Sequence, residues 1–151
     1  MRQRPRILVT DDDASVRKAL VKWFEHSGFH VSEAENGRMA VEACSRGRYD
    51  VVVMDHNMPV MNGEKAIQEI KRANPVLPII VYSAAVHIAE GYAGGQAFSI
   101  VPKPKSMTML EMEVRRALET VRPAGSVAGP ILSAQRTEER VRPPTLEPPS
   151  P

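Results

Sequence analysis

A doubly wound α/β domain, with a five-stranded parallel sheet covered by helices on both faces, is the architecture that this 151-residue chain encodes. Two observations point to it. Short apolar runs alternate with segments of helical periodicity along most of the chain, the order of βα units stacked in one parallel sheet. The middle run, Val51-Val52-Val53-Met54, is apolar throughout rather than alternating, as in a strand covered on both faces.

The first unit pairs the strand "RILVT" with "ASVRKALVKWFEHSG", where Val16, Leu20, Trp23 and Phe24 form one helical stripe that closes on Gly28. "HVSEAE" alternates as a half-buried strand, and "GRMAVEACSRG" brings Ala40, Val41 and Cys44 to one helical face. The third unit joins "DVVVM" to "GEKAIQEIKRA", with Ile67 and Ile70 turned inward. The strand "PIIVYS" is followed by a poor helix, because "EGYAGGQA" contains three glycines. "AFSIV" reads as the last strand. "SMTMLEMEVRRALETV" closes the domain with Leu110, Val114, Ala117, Leu118 and Val121 at helical spacing.

Composition changes once, near Pro123. The segment from there to Pro151 is proline-rich, has no aromatic residue and shows no sustained periodicity. Such a segment buries too little apolar surface to offset the entropy of ordering it, so residues 123–151 are expected to form a disordered tail. A net charge of +2 argues for neither nucleic acid nor membrane as partner. The lone Cys44 excludes an intrachain disulfide and suits a reducing compartment. "MRQRPRILVTDDD" has no signal-peptide pattern, and "PIIVYSAAV" is far short of a membrane span. The expected location is the cytoplasm.

Polar residues gather at the strand ends. Asp11, Asp12 and Asp13 follow the first strand, Asp55 the third, Ser83 the fourth and Lys103 the fifth. In a parallel sheet all these ends share one edge, where open α/β sheets place their ligand sites. Taken singly, Asp13 is a helix cap, Ser83 a turn hydroxyl and Lys103 a solvated amine. Together they form a set. Clustered carboxylates repel unless a cation offsets the cost, and oxygen donors without histidine or cysteine suit a hard ion such as Mg²⁺. A hydroxyl and an ammonium beside that ion suit a phosphoryl group. His56, next to Asp55, reads as a side chain on the pocket rim rather than a phosphate carrier.

With "ILVTDDD", "DHNMPVMNG", "IIVYS" and the Lys103–Pro104 pair in this order, the chain resembles the receiver domain of bacterial two-component response regulators from about Arg6 to Arg122. The resemblance implies a flavodoxin-like (βα)5 fold with strand order 2-1-3-4-5. It implies that Asp55 accepts the phosphoryl group and that Asp11, Asp12, Asp55 and the Asn57 carbonyl hold Mg²⁺ or Mn²⁺. It also implies that Ser83 and Lys103 contact the phosphoryl group, and that the Lys103–Pro104 bond is cis. One departure concerns output. The aromatic that this family places three residues before the lysine is here Ile100, with Phe98 two positions earlier. Ile100 is therefore expected to stay buried in both signalling states, leaving the Gly91–Gly95 segment to carry the change.

The function expected is a stand-alone response regulator, phosphorylated by a sensor histidine kinase or a histidine phosphotransfer protein and switching a downstream protein target. It is then a signalling switch and not an enzyme on other substrates, with no nucleic-acid partner and no membrane insertion. Two alternatives stay open: an aspartyl-phosphate phosphohydrolase, and a receiver-like binding module that is never phosphorylated.

Overall fold

The computed structural model describes residues 3–87, 91, 96–103 and 106–121. Its strands are β1 (Arg6–Thr10), β2 (His30–Ala34), β3 (Val51–Met54), β4 (Ile79–Ser83) and β5 (Ser99–Pro102). The helices among the described residues are α1 (Ala14–His26), α2 (Gly37–Arg46), α3 (Gly63–Ala73) and α4 (Met107–Val121). The strands form one sheet in the order β2-β1-β3-β4-β5, and every neighbouring pair is parallel. Between β4 and β5, Val86, His87 and Gly91 are helical, and residues 88–90 and 92–95 lie outside the described residues. Apart from Gly91, the segment expected to carry the change (Gly91–Gly95) lies outside the described residues, as do Pro104 and the tail from residue 122.

Alternation along each strand divides the core into two layers. Leu8, Val52, Met54, Ile79 and Val81 pack on one face of the sheet against Ala40, Ile67 and Ile70 of α2 and α3. Ile7, Val9, Val51, Val53 and Ile80 pack on the other against Leu20 and Phe24 of α1 and Leu110, Val114 and Ala117 of α4. This is why β3 can be apolar at all four positions: successive side chains enter different, equally dry layers. Each fully buried side chain of this size contributes about 1.5–3 kcal/mol, so packing rather than helix propensity holds the helices in place. Phe24 meets Phe29 edge to face at a centroid distance of 5.4 Å, which closes the turn after α1.

The edge strands differ from the centre for the same reason. β2 has one neighbour, and only Ala34 of its five residues is buried. At the opposite edge β5 ends in Pro102, a residue that a strand with a free side tolerates. Ile100 is half-buried against the α2–α3 layer, so the expected full burial is corrected for this state. An edge strand cannot enclose it on both sides.

The loops at the carboxyl edge end in caps. Asp13 accepts from the backbone N–H groups of Ser15 and Val16, Asn36 from that of Met39, and Asn62 from that of Lys65. The cap role of Asp13 separates it from its two acidic neighbours. The loop before α3 also carries the one positive-φ residue other than glycine among the described residues, Val60 at φ 70°. The Met61 N–H donates to the Pro59 carbonyl at 2.7 Å across it, a γ-turn of the strained hand. Val60 is 76% exposed, so its side chain gains little from packing. Val60→Gly should therefore stabilise the protein by about 1 kcal/mol, strain relief of about 1–3 exceeding an entropic cost of about 0.5–1. Urea unfolding checks this, and a loss of stability would contradict it.

Candidate functional site

The strand order places the acidic residues together. β1 and β3 are neighbours at the sheet centre, and the Asp55 N–H donates to the Thr10 carbonyl at 3.0 Å, setting Asp55 beside the end of β1. Asp11 is held in turn by its N–H bond to the Ala34 carbonyl of β2, at 3.2 Å. One carboxylate oxygen from each of Asp11, Asp12 and Asp55 lies within 4.8 Å of the others. Asp11 and Asp55 are buried whereas Asp12 is exposed. The cluster thus has a dry floor and one arm open to solvent.

Lys103 reaches this cluster from the end of β5, across β4. Its Nζ lies 2.6 Å from Asp11 Oδ2 and 3.4 Å from Asp55 Oδ2, with the side chain 19% exposed. Burial opposes the ammonium, yet the hydrogen bond to Asp11 and the charge of Asp55 outweigh it and hold its pKa above the ordinary lysine value. Asp55 shifts upward too, first because it is desolvated and then because Asp11 repels its charge; Lys103 and the His56 N–H offset only part of this. The Tyr82 ring flanks Lys103 with its centroid 5.7 Å from Nζ. Three carboxylates and one ammonium leave two negative charges uncompensated, which a divalent cation matches. Carboxylate oxygens with no histidine or cysteine among them are the donor type that suits Mg²⁺. The residues present fit the ion.

Ser83 closes β4 with its hydroxyl buried, and Oγ accepts from the Ala85 N–H at 3.1 Å. The Lys103 N–H donates to the Ser83 carbonyl at 3.0 Å, so the two residues are fastened to each other through the backbone. Asn57 is exposed in the loop two residues past Asp55. His56 is only 7% exposed, which corrects its placement on the rim: its N–H donates to Asp55 Oδ1 at 2.7 Å while the side chain is enclosed.

Two structural contributions were not legible as such. Gly63 opens α3 directly against the Asp55–His56 segment, its N–H donating to the His56 carbonyl at 2.9 Å. A Cβ there would overlap the Asp55 carbonyl oxygen and stand 3.1 Å from the His56 Cα. The motif contained this glycine, but its spacing alone does not reveal what the glycine must avoid. Arg17, on α1, donates from Nη1 to the Asp11 carbonyl at 2.9 Å and from Nε to Glu33 at 2.8 Å. No periodicity marks it.

Comparison with known proteins agrees with this geometry. The family described as response regulator receiver domain matches residues 7–115. Response regulator MprA of Mycolicibacterium vanbaalenii is 33% identical over 120 residues, which are 78% of this chain and 52% of MprA. Regulatory protein AtoC of Escherichia coli is 37% identical over 117 residues, 76% of this chain and 25% of AtoC. The chain therefore spans about half the length of MprA and a quarter of AtoC. Among solved structures, response regulator protein TrrA of Thermotoga maritima, in complex with Mg²⁺ and BeF, superposes with a TM-score of 0.72 at 30% identity, covering 76% of this chain and 99% of TrrA. A CheY-like receiver domain protein of Methanospirillum hungatei gives 0.75 at 18% identity, covering 79% and 97%, a likeness of fold.

Proposed function

The chain belongs to the response regulator receiver domain family, and from that premise we propose that it accepts a phosphoryl group on Asp55 in a Mg²⁺-dependent reaction and so switches its binding to a protein partner. The observation that carries this is the convergence of Asp11, Asp12, Asp55 and Lys103 on one point of the carboxyl edge. The donor is a histidine kinase or phosphotransfer protein, and the setting is the cytoplasm; no described helix is long and apolar enough to cross a membrane. No nucleic-acid contact is assigned to the acidic edge.

An oxygen of the Asp55 carboxylate attacks phosphorus as the bond to the donor breaks, leaving an acyl phosphate on Asp55. A carboxylate attacks directly and needs no general base to activate it. Lys103 stabilises charge on the transferred group, and the Ser83 hydroxyl donates to one of its oxygens. Asp11, Asp12, Asp55 and the Asn57 carbonyl would hold Mg²⁺, which would supply charge neutralisation between the carboxylates and the incoming anion. The protein promotes only its own phosphorylation and dephosphorylation.

The test is incubation with a small-molecule phosphodonor, with and without Mg²⁺, followed by the mass of the intact protein. A stable adduct that requires Mg²⁺ is expected. Turnover of many phosphomonoesters would instead indicate a phosphohydrolase, and no reaction would indicate a module that is never phosphorylated. Mg²⁺ should also stabilise the folded chain by mass action, by about 2.7 kcal/mol at a hundredfold excess over its dissociation constant. Asp12→Ala should remove most of that gain. Identical thermal midpoints with and without saturating Mg²⁺ would refute the metal site.

A further inference from the structure

We propose that Arg17 is a positioning residue for the acidic pair: its guanidinium ties the Asp11 carbonyl to Glu33 and so holds Asp11 and Asp12 in the geometry that takes the metal. This rests on the function proposed above and deepens it.

The β1–α1 loop carries two of the three clustered carboxylates; the Asp13 cap fixes its far end, and Lys103 holds the Asp11 side chain. The loop backbone is held by the Asp11 N–H bond to the Ala34 carbonyl at 3.2 Å and by the Asp13 N–H bond to Asp11 Oδ1 at 2.9 Å. Neither of these restrains the Asp11 carbonyl, which begins the peptide unit leading into Asp12. Arg17 does. Its Nη1 bonds that carbonyl at 2.9 Å and its Nε bonds Glu33 Oε1 at 2.8 Å, with the side chain only 12% exposed. Glu33 lies near the end of β2, paired in register with Val9 of β1. The planar fork thus links helix α1, the loop and the neighbouring strand, and a guanidinium with two fixed bonds holds its orientation. Asp12, exposed and with no strand of its own, depends most on that peptide unit.

Arg17 is also a positive charge near a cation site, and that makes the two possible roles opposite in sign. As a mere charge it repels Mg²⁺, so its removal should tighten binding. As a positioning group it preorganises the ligands, so its removal should weaken binding, by roughly tenfold as for other groups that orient metal ligands.

Thermal midpoints of the full chain, titrated with MgCl₂, separate these cases. The half-saturating Mg²⁺ concentration should rise roughly tenfold in Arg17→Met. It should also rise in Arg17→Lys, which keeps the charge but cannot span both acceptors. The rate of phosphorylation by a small-molecule donor should return to near the wild-type value at saturating Mg²⁺ in both variants. A half-saturating concentration that is unchanged or lower in Arg17→Lys overturns the inference, and if Arg17→Met does not fold, Arg17→Lys alone decides. A wild-type chain with no response to Mg²⁺ overturns the metal reading together with this inference; a wild-type response with unaltered variants overturns this inference alone.

Discussion

Asp55→Asn should abolish phosphorylation while leaving the fold as stable as before or slightly more so. The loss of reaction is complete because an amide is not a nucleophile towards phosphorus at neutral pH. The stability effect follows from the charge. The Asp55 pKa is raised in the folded protein, by desolvation and then by repulsion from Asp11. A carboxyl whose folded pKa lies above its unfolded value binds protons more tightly when folded, so its ionisation lowers stability as pH rises through that window. Above the folded pKa the cost is fully present, and asparagine removes it. The variant gives up the Lys103 contact at 3.4 Å but keeps the shorter Lys103–Asp11 pair at 2.6 Å. Urea unfolding from acid to neutral pH should show the wild type losing stability relative to Asp55→Asn as the carboxylate ionises. A variant that still accepts phosphoryl at the normal rate, or that is markedly less stable at neutral pH, would contradict this.

Gly63→Ala should be the most damaging single-methyl change near the site. The added Cβ would overlap the Asp55 carbonyl oxygen and crowd the His56 Cα, and both are backbone atoms that cannot swing aside. Relief requires α3 and the end of β3 to separate, which loosens the Gly63 N–H bond to the His56 carbonyl and displaces Asp55 itself. Overpacking of this kind costs about 1–3 kcal/mol. A displacement of about 1 Å at a reacting group costs about a hundredfold in rate. Denaturant unfolding and the rate of phosphorylation should therefore fall together. A stable variant with ordinary phosphorylation would show that the close approach is not required.

The fold was legible where periodicity and physics coincide. The all-apolar Val51–Met54 run signalled a strand covered on both faces, and the two core layers explain it residue by residue. The stripe from Val16 to Phe24 placed α1 correctly, with Leu20 and Phe24 buried and Val16 and Trp23 partly so. The two edge strands were less legible. β2 was expected to alternate, yet its burial depends on having one neighbour rather than two, and pattern does not reveal that. Ile100 was expected to be buried and is only half-buried, for the same reason at the other edge.

The acidic residues and Lys103 were legible because strand ends share an edge in any parallel sheet, whatever the strand order. What linear sequence could not show were contacts between elements distant along the chain. The fork of Arg17 over Asp11 and Glu33, the Lys103 ammonium beside the Tyr82 ring and the fit of Gly63 under Asp55 each depend on the folded backbone. The placement of His56 fell between the two. Its neighbour Asp55 marked it as near the site, but only packing decides that it is enclosed rather than on the rim.

Asp55 alone should become the acyl phosphate. The most direct measurement is peptide mapping by mass spectrometry of the wild-type chain after reaction with a small-molecule phosphodonor and Mg²⁺. One phosphoryl group should be found on the peptide that contains Asp55, and none when Mg²⁺ is omitted. A phosphoryl group on Ser83 or on any of the histidines, with Asp55 unmodified, would rule out Asp55 as the acceptor.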